Sequence, residues 1–182
     1  MDLPPGNPFD LNIEEILENW ETYDGIREVI ANAIDEQILR HTREIEIYKD
    51  KQRKWHIRDY GQGLQYAHLT QKENGQKLTN PNVIGKFGIG LKDALATFDR
   101  KGARVLVRSR FNDITTAKYT KHGFDILTLH AFVAKPSDPT LVGTVLTTHI
   151  CHGSIRQRDR DNESLDAAVH SSIHGYYPDL SQ

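Results

Sequence analysis

Glu28, Asn32 and Asp35 lie in a stretch whose apolar residues, Ile26, Val29, Ile30, Ala33 and Ile34, recur at three-to-four spacing. On a helix turning about 100° per residue, the three polar side chains fall within roughly 60° of one another, opposite the apolar stripe. A carboxylate four residues before an amide stands about 5 to 6 Å from it, which suits a water-activating base beside an oxygen donor to a metal ion. The same three residues also read as the solvated side of an amphipathic helix. Asn32 argues for more than solvation, because a weak helix former between Ala31 and Ala33 is tolerated only at a cost.

Two glycine motifs follow. In Ile57-Arg58-Asp59-Tyr60-Gly61-Gln62-Gly63-Leu64 an aspartate ends a strand just before two alternate glycines. Such a carboxylate is a good acceptor for an exocyclic amine, since the missing side chains let a flat ring approach. The competing reading is an ordinary turn held by an Asx hydrogen bond. In Ile84-Gly85-Lys86-Phe87-Gly88-Ile89-Gly90-Leu91-Lys92 three glycines open a helix, so several backbone N–H groups can converge on an anion at its N-terminus. Gly-Lys-Ser/Thr is missing, which excludes a P-loop. The order Gly-x-x-Gly-x-Gly reverses the dinucleotide fingerprint and follows a loop rather than a strand. Lys86 and Lys92 either add charge to an anion site or are simply solvated.

Other candidates carry less. His149-x-Cys151-His152 and the pair His170 and His174 offer nitrogen and sulfur ligands, but no second cysteine closes a four-ligand site, and surface or core histidines are the simpler reading. Cys151 lacks an identifiable base to activate it. The alternating run Arg156 to Asp161 reads as a solvated loop, and Trp20 and Trp55 as core aromatics.

The elements that must position these residues are legible as periodicity. Residues 1–10 form a Pro/Gly/Asn-rich arm. Helices are predicted from Leu11 to Trp20, with Asn12 as cap, from Thr22 to Arg40, and from Gly90 to Phe98. Strands are predicted over Glu44 to Tyr48, Lys54 to Arg58, Arg104 to Arg110, Ile126 to Ala134 and Thr144 to Ile150. Gln65 to Asn82 is a polar connection, and 156–182 a tail with a short helix over Glu163 to Ile173. Helices first and strands last predict an α/β chain of two α+β layers, with helices on one face of a mixed, largely antiparallel sheet over residues 11–155.

At 182 residues the chain is one domain in length. Its 23 basic and 25 acidic side chains leave a formal charge of -2, which excludes a general footprint for nucleic acid or anionic membrane and leaves only a local patch as a route to polyanions. No apolar run approaches the roughly 20 residues of a membrane span. A single cysteine, with no basic-then-apolar leader, predicts a reducing, cytoplasmic setting.

Taken in order, Glu28-x-x-x-Asn32-x-x-Asp35, Asp59-x-Gly61-x-Gly63, Gly85-x-x-Gly88-x-Gly90-Leu91 and Gly143-Thr144 before an apolar strand resemble the GHKL superfamily of ATPases, which joins gyrase B, the ninety-kilodalton heat-shock chaperones, histidine kinases and MutL. The resemblance runs from Glu28 to about Ile150 and is closest to the chaperone and Microrchidia types. It implies a Bergerat fold binding ATP or ADP with Mg²⁺. It implies Glu28 as general base, Asn32 as Mg²⁺ ligand, Asp35 as a supporting acid, and Asp59, with Thr144, as the adenine acceptor. Gly61, Gly63 and Leu64 would line the base pocket. Gly85, Lys86, Phe87, Gly88, Ile89, Gly90 and Leu91 would wrap the phosphates. A short lid over 65–82, in which Thr70, Gln71 and Lys72 could reach a phosphate, would order on ATP and gate a partner or a second subunit. Slow hydrolysis is the expected activity, with a non-hydrolysing sensor or histidine-kinase-like phosphotransfer as alternatives. The chain ends too soon after Gly143-Thr144 for the transducer domain of the chaperone, gyrase and MutL relatives, so it reads as an excised fragment or a minimal stand-alone member.

Overall fold

The computed structural model describes residues 3–11, 13, 19–70, 81–84, 90–121, 125–150 and 155–176, with backbone alone over 155–162. Among these are seven strands and three α-helices: β1 (Asn7–Asp10), α1 (Thr22–Arg40), β2 (Glu46–Lys49), β3 (Trp55–Arg58), α2 (Gly90–Arg100), β4 (Ala103–Ser109), β5 (Asp113–Thr120), β6 (Leu127–Ala134), β7 (Thr144–Ile150) and α3 (Ile155–Tyr176). The strands form one sheet in the order β1-β6-β5-β4-β7-β3-β2.

Every pairing in it is antiparallel, where a mixed sheet is expected from the sequence. The difference lies in β7. Strands β3 and β4 run the same way, but β7 returns to lie between them and pairs antiparallel with both. No parallel neighbours are left.

Residues opposite one another in antiparallel strands share a face. One register row therefore sets Ile47, Ile57, Leu146, Val107, Ile114 and Val133 side by side across six strands. This face meets the helices, and a single core joins it to Ile26 and Ile30 of α1, Leu95 and Phe98 of α2, and Leu165 and Val169 of α3. Phe98 is fully buried, which contributes about 2 to 3 kcal/mol. Helix α1 is held at both ends. Asp24 accepts the Glu21 N–H at 2.9 Å, and His41, at φ 50°, closes the C-terminus in the left-handed region.

Several sequence expectations change. Residues Asn7–Asp10, read as part of an arm, form an edge strand on β6, and the Leu11 N–H extends the ladder to the Leu129 carbonyl. Strand β5 has no counterpart in the sequence reading. The stretch read as a tail carries a 22-residue helix whose buried Leu165, Ala168 and Val169 belong to the core, and the Arg156 to Asp161 run is helical rather than looped. In the connection after Leu64, Tyr66–Leu69 make a single 3-10 turn, while residues 71–80 of the expected lid lie outside the described residues. So do Asn12 and residues 14–18 of the first expected helix; Leu11 and Ile13 on either side of Asn12 are not helical. No described helix is long and apolar enough to cross a membrane.

Candidate functional site

The polar side of α1 is turned towards other segments of the chain rather than to water. Asp35 is fully buried, and its Oδ1 accepts the Ile84 N–H at 2.7 Å. Glu28 keeps a fifth of its side chain exposed, at 23%, and its Oε2 sits so close to Gly90 that a Cβ there would overlap it. Its Oε1 lies 3.3 Å from Arg27 Nη2. Between them Asn32 donates from Nδ2 to the Glu28 carbonyl at 3.0 Å, which fixes the plane of its amide. Helix α2 begins at Gly90, so Glu28 stands at the positive end of its dipole. Burial, with the Glu28 charge adding to it against the pull of Lys92, raises the nearby Asp93 above the usual carboxylate value.

A second cluster surrounds Asp59, the first residue after β3. Its N–H bonds the Thr144 carbonyl at 3.0 Å, and its Oδ1 accepts the Gly61 N–H at 2.8 Å and the Thr144 N–H at 3.3 Å. Only 6% of Asp59 is exposed. Burial pushes its carboxyl up to about 6 and the Glu36 charge adds to the rise, while the bonds from Gly61 and Thr144 oppose it. The start of β7 crosses this turn so tightly that a Cβ on Gly143, whose φ is 77°, would overlap the Asp59 carbonyl. Thr144 also accepts the Leu64 N–H on its hydroxyl at 3.0 Å, and the Leu64 carbonyl takes bonds from Ser109 Oγ and Asn112 Nδ2.

Helix α1 links the two clusters. Glu36, one residue past Asp35, points its Oε2 at Gly61, in a space where a Cβ on Gly61 would also lie 3.2 Å from Asp59 Oδ1. Arg40 pairs with Glu36 at 3.9 Å and bonds Gln62 at 3.0 Å. One face of one helix thus addresses the opening of α2 through Glu28, Ile84 through Asp35, and the Asp59 turn through Glu36.

Of the candidates read from sequence, Glu28 meets Gly90, and Asp59, Gly61, Leu64 and Thr144 share one hydrogen-bonded unit, with Gly63 beside Gly143. Leu91 follows Gly90 in α2 and packs against the core. Gly85, Lys86, Phe87, Gly88 and Ile89 lie outside the described residues, as do Cys151 and His152. No group of three or more His, Cys, Asp or Glu side chains that could hold a metal occurs among the described residues. Four contributors escape sequence reasoning. Glu36 stands about 80° round the helix from Glu28, at the margin of the same face, and could have been found by widening that arc. Asp93, Ser109 and Asn112 leave no local signal, since only the folded chain brings them to the site.

The arrangement offers a buried carboxylate beside close-approach glycines, which can accept a hydrogen bond from an amine, and a second carboxylate at the opening of α2. No family model matches the chain. It is similar to an uncharacterized protein of Mycoplasma pneumoniae, 44% identical over 118 residues, which make up 63% of this chain and 48% of that protein. The chain thus spans about half the length of the curated relative it matches.

Proposed function

We propose that the domain binds ATP with Mg²⁺ and hydrolyses it slowly, on a Bergerat-type site built between α1, α2 and the β3–β7 turn. The observation that carries this reading is the placement of two carboxylates on opposite sides of α1's polar face: Glu28 against the opening of α2, and Asp59 buried at a cost beside Gly61 and Thr144. Carboxylates that burial holds above their ordinary value cluster at functional sites, which supports the reading. At Gly61 even a Cβ would overlap Glu36 Oε2 and lie 3.2 Å from Asp59 Oδ1, so a base that reaches Asp59 displaces the end of the Glu36 side chain.

On this reading Asp59 accepts the adenine amine, and Gly61, Gly63 and Leu64 line the ring. Asn32, which donates from Nδ2 to the Glu28 carbonyl, would be the residue that holds the metal. Mg²⁺, when bound, supplies positive charge at the phosphates. The opening of α2 faces the phosphates with its N–H groups, and Glu28 Oε2 orients a water and takes its proton. Asp35 holds the Ile84 backbone and so sets where the glycine segment begins.

Titrating ATP, ADP and a non-hydrolysable analogue with and without Mg²⁺, and then measuring phosphate release, tests the reading. Glu28→Ala is expected to keep nucleotide affinity and to lose turnover by at least about a hundredfold. Absence of nucleotide binding refutes the assignment; binding without wild-type turnover leaves a sensor, and label from γ-labelled ATP on protein leaves a phosphotransferase.

A further inference from the structure

The face of the sheet turned away from the helices has a composition of its own. The core draws on the opposite face, and three adjacent strands, β3, β7 and β4, place on this one a grid set by register. Lys54 precedes β3 on the same face as His56 and Arg58. Beside them β7 contributes His149, Thr147 and Val145, and β4 contributes Arg104, Leu106 and Arg108. Four permanent cations therefore hold the corners and a flat, mostly uncharged strip runs between them. Strand spacing of about 4.8 Å and about 6.6 Å per two residues put neighbouring corners about 10 to 13 Å apart.

Three observations give this grid a direction. First, Arg58 and Arg108 each bury an Nε donor with no acceptor among the described residues, and neither guanidinium has a carboxylate within ion-pair distance among them, although Glu46 and Asp113 end the same register row. Second, burial, then Lys54 and Arg104, hold His149 below its usual value against the pull of Asp50, so both cations bear on the imidazole that lies between them in the register. Third, Tyr48, 45% exposed, stacks on His56 with ring centroids 4.8 Å apart and planes 12° from parallel. The Asp50 carboxylate and Thr147 hydroxyl clamp that imidazole at 2.9 and 3.0 Å.

We propose that this face binds single-stranded nucleic acid, with phosphates on Lys54, Arg58, Arg104 and Arg108 and a base stacked on the exposed ring of Tyr48. With Nε of Arg58 and Arg108 buried, it is the outer nitrogens of each guanidinium, that of Arg58 lying over the Tyr60 ring at 4.6 Å, that would meet phosphate oxygens. A rigid aromatic on a flat sheet between cations suits splayed bases better than a duplex, whose bases are already stacked. Glu46, Asp50 and Asp113 share this face with the four cations, so its charge is set by that local balance rather than by the formal charge of -2 for the whole chain.

Fluorescence anisotropy with a labelled oligothymidine of about 20 nucleotides tests it, on the full chain, between about 50 and 200 mM salt. Binding is expected to weaken with salt. Combining Lys54→Ala with Arg104→Ala is expected to weaken it at least about tenfold at low salt and to flatten the salt slope by about 1.4. Tyr48→Ala is expected to cost about tenfold with the slope unchanged. Melting curves of both variants show that the fold persists. No binding by the wild type at low salt, equal binding by the double variant, or tighter binding to a duplex of the same length or to phosphatidylserine vesicles overturns the proposal.

Discussion

Replacing Asp59 by asparagine is expected to make the protein more stable above pH 6 while removing adenine recognition. The unfolded chain carries this carboxyl at 3.8 and the folded one at about 6. Between those values the folded state keeps a proton that the unfolded state releases, so stability falls as pH rises through the window and stays low above it. The move converts to about 3 kcal/mol, an upper bound for what the charged form costs at neutral pH. Asparagine retains the oxygen that accepts the Gly61 and Thr144 N–H groups and carries no charge. Urea unfolding of both proteins, followed by the fluorescence of Trp20 and Trp55, gives the difference in free energy at each pH. That difference is expected to be small near pH 4, to rise in favour of the variant up to pH 6, and to level off at on the order of 2 to 3 kcal/mol. Taking the difference cancels the other titrating groups, His149 among them. A variant less stable than wild type at pH 8, or a difference that does not change with pH, refutes the account of Asp59 as a buried charge kept for a ligand. Glu36→Gln, which removes the neighbouring negative charge, is expected to shrink the difference.

Three further outcomes follow from the same geometry. Adenosine, which carries no phosphate to titrate, is expected to bind about tenfold more weakly for each pH unit below 6, measured by calorimetry, because only the ionised Asp59 accepts its amine; pH-independent affinity sinks that contact. Gly90→Ala places a methyl on the flexible end of Glu28, so melting is expected to stay within a few degrees of wild type while phosphate release falls at least about tenfold. Asp166 accepts Lys49 Nζ at 2.6 Å and Trp55 Nε1 at 2.7 Å, tying α3 to β2 and β3, and these bonds hold it below 3.8 against burial. Asp166→Asn is expected to cost about 1 to 3 kcal/mol at neutral pH in urea unfolding, a loss that shrinks as acid protonates the wild-type carboxylate below pH 4.

Where a segment buries a stripe, periodicity betrays it. The α1 stripe and the strand-like run Thr144 to Ile150 put both elements within a residue of where they lie. Strand β5, Asp113–Thr120, was hidden because its second half is exposed and its composition is polar, so nothing alternates. Strand β1 is four residues long and contains Pro8, which suits an edge but reads as loop. Helix α3 opens on a charged run, and among its described side chains the first buried one is Leu165. At the site, the carboxylates within one helix or next to glycines were visible as spacing. The pairing of Glu36 with the Asp59 turn was not, because tertiary contact alone brings a helix margin to a strand end. The rows of cations on the far face were equally invisible, since each strand contributes one or two and only register assembles them.

The insertion of β7 between β3 and β4 has a bearing on synthesis. Asp59 and its partner Thr144 are 85 residues apart, so while the ribosome is still making the middle of the chain, the sheet carries a gap between β4 and β3 where β7 belongs. The nascent polypeptide has α1 and Asp59 in hand but no Thr144 to brace them. The Asp59 turn is complete only once Thr144, about four-fifths of the way along these 182 residues, has been made, and any truncation before residue 144 leaves two half-sheets with exposed inner edges, a form suited to chaperone holding or to aggregation rather than to work.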